Sequence, residues 1–223
     1  MMLEGYEMMA VENQPDLPDN LQHRNYTLIY APTQLQRPGM TPGFDQRWQE
    51  AHGQIMHVAE QCHKVAVNGL TVYCKPSDAG DFRCHQNVNG ANLASLMAST
   101  PLPEKLALAP LLATVFNRYF TNKAAGQLPT NGEIILIVID NEPTDRLAIA
   151  KQIVAASQKL DHNDELGVGW IQVGDDYITK GFLVTLDDNL REKGAKFDIV
   201  DHKTMEQIAT TDLTSFLTGV LKD

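Results

Sequence analysis

The sequence has few cysteines, and it has no long hydrophobic run. Cys62, Cys74 and Cys84 are widely spaced and odd in number, which excludes a disulfide framework and is typical of reduced cytoplasmic thiols. No stretch approaches the ~20 apolar residues of a membrane-spanning helix, so we expect no membrane insertion. The first twenty residues are acidic and lack the basic start and apolar core of a signal peptide. These absences predict a cytoplasmic protein.

Positive charge is also scarce. The chain has 18 Lys and Arg residues against 28 Asp and Glu residues, which gives a net charge of −10. Nucleic-acid binding depends on a clustered basic surface that neutralises phosphates. We therefore expect no nucleic-acid partner.

Motifs for catalysis or for phosphate binding are missing as well. Gly167, Gly169 and Gly174 lie within or beside a predicted strand and do not open a helix, so they indicate close backbone packing. No serine has the surroundings of a nucleophile elbow. The sequence therefore predicts no catalytic residue, no cofactor and no enzymatic activity.

The most informative stretch is a run of six apolar residues, 134–139, which is followed by Asp140 and Pro143. A continuous aliphatic run is typical of a parallel strand that is buried on both faces. Pro143 cannot continue the strand, and Thr144 or Asp145 can cap the helix that follows. The pattern therefore places Asp140 at the carboxyl edge of a parallel sheet, where open α/β folds have their binding sites.

Predicted strands and helices alternate along the rest of the chain. Strands are predicted at 25–30, 70–74, 134–139, 166–173 and 196–200, with a short hairpin partner at 82–84. Helices are predicted at 44–67, 91–98, 104–120, 144–160, 175–190 and within 205–221. This alternation predicts one α/β domain, residues 23–223, with helices on both faces of a parallel sheet. Residues 1–22 are predicted to form a flexible N-terminal tail.

Several of these segments in combination resemble the von Willebrand factor A-like (VWA) domain family, in its compact intracellular bacterial form. The matching segments are NYTLIY, RWQEAHGQIMHVAEQC, NGLTVYC, RYFTNKAAGQLPTNGEIILIVIDNEPTDR, ELGVGWIQVGDD and GAKFDIVD. The resemblance implies a Rossmann-like three-layer sandwich, with a mainly parallel sheet and one short antiparallel edge strand.

The VWA family is known for a metal-ion-dependent adhesion site, in which oxygen ligands hold Mg²⁺. Where that site has an Asp-x-Ser-x-Ser loop, this chain has Ala31, Thr33 and Leu35. The later threonine of the family falls near Leu106, and only the aspartate after the central strand is kept, as Asp140. The resemblance therefore implies a vestigial site, with Lys105 as a candidate for the missing positive charge.

These departures favour a non-catalytic protein-interaction module that has lost its metal site and serves as an adaptor or subunit of a larger cytoplasmic complex. The expected partner is a protein of unknown identity. The candidate partner-binding residues are Thr33, Gln34, Gln36, Arg37, Lys105, Asp140, Asn141, Met8 and Met9. Because methionine suits irregular grooves, we also expect the tail to dock on a partner or on a neighbouring copy of the chain.

Two alternatives stay open. The first is a VWA domain that still binds its ligand through a metal, with Asp140 and Thr33 as protein ligands. The second belongs to another class: a small hydrolase or nucleotide-binding enzyme built on the same sheet. A polar cluster around Asp140 at the carboxyl edge of the sheet would favour the second alternative.

Overall fold

The computed structural model of the protein describes residues 18–34, 44–75, 80–100, 102–210 and 213–222, with the side chains of residues 44 and 45 left out. Its centre is a six-stranded sheet of order β3-β2-β1-β4-β5-β6, in which β3 is antiparallel and lies at one edge. The strands are β1 (Arg24–Ala31), β2 (Ala66–Cys74), β3 (Arg83–Val88), β4 (Glu133–Ile139), β5 (Leu166–Gln172) and β6 (Val200–Thr204).

Helices cover both faces of this sheet. They are α1 (Phe44–Val65), α2 (Gly90–Ser99), α3 (Ala109–Ala124), α4 (Arg146–Ser157), α5 (Tyr177–Asp188), α6 (Met205–Thr210) and α7 (Leu213–Gly219). Helices α1, α2, α6 and α7 contribute to the core on one face, and α3, α4 and α5 contribute to the core on the other. The predicted Rossmann-like α/β sandwich with an antiparallel edge strand is confirmed, and it is the fold that the resemblance implies.

The central strand β4 is buried along its whole length, as its sequence predicts. It pairs in parallel with β1 on one side and with β5 on the other. Successive residues point to opposite faces of a strand, so the two halves of the apolar run enter different cores. One core receives Ile134, Leu136 and Val138, and the other receives Ile135, Ile137 and Ile139.

The glycines of β5 serve close packing, as the sequence analysis inferred. A Cβ atom on Gly167 would lie 2.6 Å from a methyl carbon of Val220, and one on Gly169 would lie 2.8 Å from a methyl carbon of Leu136. Residues 216–221, from α7 and its end, therefore approach the backbone of β5 directly.

Two elements begin at least four residues later in the structure than the sequence predicts. Helix α3 begins at Ala109 and not at residue 104, because the carbonyl of Leu106 accepts hydrogen bonds from Thr144 and the backbone there is not helical. Pro110 then lies in the first turn, where a missing N–H is tolerated. The last strand is Val200–Thr204 instead of 196–200, because an edge strand pairs on one side only and accepts the polar residues 201–204.

The segment before β1 packs on the domain, although the sequence analysis assigned it to the tail. Residues Asp19–Leu21 form a 3-10 turn, and the Leu21 side chain is fully buried in the core beneath α1 and α7. The Asn131 amide donates a hydrogen bond of 2.9 Å to the Asp19 carbonyl. Residues 19–21 therefore belong to the domain and not to the predicted tail, and residues 1–17 lie outside the described part.

Within the described residues, no helix combines the length and the apolar character that crossing a bilayer requires.

The burial of β4 makes Ile137 a test of the central-strand assignment. We expect Ile137→Asp to abolish cooperative folding, because an unpaired carboxylate would enter a dry core at a residue with no exposed surface. Circular dichroism during urea unfolding is the measurement, and Leu147→Asp, at a side chain that is 76% exposed, is the matched control. A soluble Ile137→Asp protein with a cooperative transition would contradict the assignment.

Candidate functional site

Asp140 follows the last residue of β4, and its side chain is fully buried at the carboxyl edge of the sheet. Its Oδ1 atom accepts two hydrogen bonds of 3.0 Å, from the backbone N–H and from the hydroxyl of Thr33. Thr33 lies just past the end of β1, which is the parallel neighbour of β4. The Asn141 amide in turn donates a hydrogen bond of 2.6 Å to the Thr33 hydroxyl oxygen. Asp140 therefore connects the loop that follows β1 to the end of β4.

The other carboxylate oxygen of Asp140 faces the start of helix α1. Its Oδ2 atom lies 3.4 Å from the indole nitrogen of Trp48 and 3.6 Å from a guanidinium nitrogen of Arg47. Both side chains are almost completely buried. The Arg47 side chain packs directly against Gly174, because a Cβ atom added to Gly174 would lie only 2.6 Å from Cδ of Arg47. Gly174 also has a φ of +79°, a conformation that favours glycine.

The electrostatics of this cluster combine two opposing effects. Burial raises the pKa of the Asp140 carboxyl from its ordinary 3.8 to about 6, since removal from water disfavours the charged form. The hydrogen bonds from Thr33 and Trp48 and the positive charge of Arg47 act in the opposite direction. Arg47 is thus the counter-ion of a carboxylate that has no access to solvent.

Asp145 has a different role from the predicted one. It stands at the N-cap position of α4, but its side chain does not cap that helix. Its two carboxylate oxygens accept hydrogen bonds from the backbone N–H groups of Leu108 and Ala109, at 3.0 and 2.8 Å. Asp145 therefore stabilises the start of α3, where a negative charge is favourable next to free N–H groups.

The predicted site residues separate into a buried group and an exposed group. Thr33, Asp140 and Asn141 meet in one cluster, but all three are buried, and so are the vestigial positions Ala31 and Leu106. The polar cluster that would favour an enzyme is thus present at the carboxyl edge, but its groups bind one another and are closed to solvent. Gln34 and Lys105 are exposed. Leu35, Gln36, Arg37, Met8 and Met9 lie outside the described residues.

The proposed pairing of Lys105 with Asp140 is corrected by the structure. Lys105 is exposed, whereas the carboxylate is fully buried and has Arg47 as its cation. The sequence analysis missed Arg47 and Trp48, which lie more than 90 positions away from Asp140 in the chain. One general signal could have found them: the first turn of a helix that follows a parallel strand lies at the carboxyl edge of the sheet.

A cleft of about 730 Å³ opens beside this cluster. Arg47 lines it together with Gln172 and Gly174 at the end of β5 and Lys180 of α5. Gln172 is buried, and its amide donates a hydrogen bond of 2.9 Å to the carbonyl of Asp176. Arg47 thus lies between Asp140 and the cleft.

A second group of possible metal ligands lies at the edge strand β6. In the described part of the chain, Asp187, Asp201 and His202 place one ligand atom each within 4.8 Å of one another. A side chain of the protein already faces each of the two carboxylates. The imidazole of His202 lies 2.5 Å from Asp187, and the ammonium of Lys203 lies 3.8 Å from Asp201. We assign the His202–Asp187 contact to the attachment of β6 to α5, whereas Lys203 and Asp201 both belong to β6.

The pKa of Asp140 predicts a pH-dependent contribution to stability. Because the folded state binds this proton more tightly than the unfolded state, the ionisable carboxyl favours folding at low pH, and this benefit is lost as pH rises from about 4 to about 6. The unfolding free energy of the wild type, relative to Asp140→Asn, should fall by roughly 2–3 kcal/mol across that window and then level off.

Urea unfolding of both proteins between pH 4 and pH 8, in steps of about half a unit, measures this difference. Asp140→Asn also removes the carboxylate that faces Arg47, but this cost does not depend on pH. It therefore does not affect the change of the free-energy difference with pH. Asp188→Asn, at an exposed position, is the matched control for the removal of one carboxylate. If the unfolding free energy of the wild type relative to Asp140→Asn stays constant or rises with pH, the raised pKa of Asp140 is contradicted.

Comparisons with known proteins give a likeness in structure only. No protein-family model and no curated protein sequence matches the chain. Among solved structures, the chain is similar to the crystal structure of the manganese-loaded TRAP protein of Plasmodium vivax. The two share 9% sequence identity with a TM-score of 0.49, over 86% of this chain and 72% of that chain.

Proposed function

We propose that the chain is a non-catalytic protein-interaction module on a VWA-like fold, and that its metal site is lost. It would act as an adaptor or a subunit of a cytoplasmic complex. The observation that carries the proposal is the Arg47 guanidinium, 3.6 Å from the buried Asp140 carboxylate. A cation supplied by the protein stands beside the one acidic residue that corresponds to the VWA metal site.

The donor set does not fit a divalent cation. Mg²⁺ requires about six oxygen ligands in nearly octahedral geometry. Asp140 already accepts two hydrogen bonds from Thr33 and faces Trp48 and Arg47. The buried Ala31 and Leu106 offer no side-chain oxygen. A divalent cation at Asp140 would also be repelled by the nearby guanidinium, and strongly so in a buried site.

Binding would therefore use exposed groups at the same edge of the sheet. Gln34 and Lys105 are both exposed there, and their loops are joined by a hydrogen bond of 3.1 Å from the Gln34 N–H to the Pro103 carbonyl. The cleft beside Arg47, with the exposed Lys180 on its rim, lies at the carboxyl end of β5. The surface is polar and mixed in charge, as is usual at the rim of a non-obligate protein interface.

Calorimetric titration with Mg²⁺ and Mn²⁺ tests the loss of the metal site. We expect no saturable heat from the wild type up to millimolar metal, because the carboxylate is occupied by donors from the protein. Asp140→Asn is the matched control. Saturable binding at millimolar or lower concentration in the wild type, lost in Asp140→Asn, would establish the metal-dependent alternative in place of this proposal.

Site-specific photo-crosslinking in the native host tests the binding surface. A photoreactive amino acid at Gln34 or at Lys105 should give a discrete adduct with a protein partner, because both side chains reach solvent at the proposed surface. The same amino acid at Lys64, exposed near the opposite end of α1, is the control position and should give none. An adduct that forms equally well from Lys64, or none from either edge position, would refute the proposed surface.

A further inference from the structure

A groove of about 540 Å³ runs between helices α4 and α5, on the face opposite α1. Leu147 and Tyr177 line it with 76% and 70% of their surfaces exposed. They are two of the three large hydrophobic side chains that are most exposed in the described part of the chain. Ala150, Ile178 and Phe182 continue the apolar lining between the helices. Exposed apolar surface concentrated in one groove is typical of an interaction site.

The charge of the groove is opposite to that of the whole protein. Its charged lining consists of Arg146 and Lys193, and none of the described lining residues carries a carboxylate. The chain as a whole has a net charge of −10. Arg146 also contacts Glu142 at 3.2 Å, so Lys193 is the clearer source of uncompensated positive charge. An occupant that complements this groove combines apolar side chains with carboxylates.

Residues 1–17 of this chain have that composition. Their apolar side chains include Met1, Met2, Leu3, Tyr6, Met8 and Met9. Their charged side chains are Glu4, Glu7, Glu12 and Asp16, and the segment contains no lysine, arginine or histidine. Methionine side chains are unbranched and polarizable, and they adapt to irregular apolar grooves.

We propose that the groove between α4 and α5 binds residues 1–17 of a second copy of this chain. The described chain begins at residue 18, beside Asn131 and α7, and Leu21 enters the core on the α1 side of the sheet. The groove opens on the other face of the sheet, so residues 1–17 would have to pass around their own sheet to enter it, which favours the groove of a second copy. Reciprocal binding in a pair of copies gives a closed dimer with two-fold symmetry.

Sedimentation velocity of the full chain over a range of concentrations tests this dimer. We expect reversible dimerisation that Leu147→Glu weakens about tenfold or more, since a large apolar contact is replaced by a charge. Leu147 is the second residue of α4, where a negative charge favours the helix, so the variant keeps its fold. Val67→Glu, at a hydrophobic side chain that is 53% exposed away from the groove, is the matched control.

A charge-swap experiment identifies the occupant. Lys193→Glu alone and Glu4→Lys with Glu7→Lys alone should each weaken the dimer, because each creates a like-charge contact. Combining all three substitutions in one chain should recover part of the loss, since opposite charges face each other again. Lys64→Glu, on α1, is the control for a charge change elsewhere.

A full chain that stays monomeric at all concentrations would overturn the proposal. Docking of residues 1–17 in the groove of their own chain would give this monomeric result. Dimerisation that Leu147→Glu leaves unchanged would also overturn it. So would a triple variant that dimerises no more tightly than Lys193→Glu alone or than Glu4→Lys with Glu7→Lys.

Discussion

The two-sided burial of β4 is the constraint on which the rest of the structure depends. Each end of this strand carries a carboxylate, and both are removed from water. At the amino end, Glu133 contacts Arg118 and accepts a hydrogen bond of 2.6 Å from Thr27, while burial raises its pKa. At the carboxyl end, Asp140 is surrounded by donors from Thr33, Trp48 and Arg47. Because an unpaired buried charge is very unfavourable, each carboxylate requires an arginine from a covering helix.

These two ion pairs attach the helix layers to opposite ends and opposite faces of one strand. Arg118 comes from α3, which belongs to one core, and Arg47 comes from α1, which belongs to the other. The contacts fix the position of each helix along the strand, whereas apolar packing alone tolerates small shifts. The Asp140 cluster is therefore a structural element in its own right. Its oxygens are used inside the protein, so the proposed partner would have to be recognised by other groups.

The two proposed surfaces differ in their chemistry. The carboxyl edge presents polar side chains, Gln34 and Lys105, beside a cleft of mixed charge. The groove between α4 and α5 presents Leu147 and Tyr177 among positive charges. A polar rim without a large apolar centre suits a partner that binds and dissociates, while a groove with exposed aromatic and aliphatic anchors suits a persistent contact. Contact between copies and contact with a partner would thus use separate sides of the domain.

The sequence by itself determined the α/β class, the central strand and the position of Asp140 at the edge of the sheet. These features follow from hydrophobic periodicity and from residues that end a strand, and both are local in the chain. Only the tertiary structure decided that Arg47, and not Lys105, neutralises Asp140, that Asp145 caps α3, and that β6 lies at Val200–Thr204. Each of these depends on which distant groups meet after folding, and hydrophobic periodicity carries no information about such pairings.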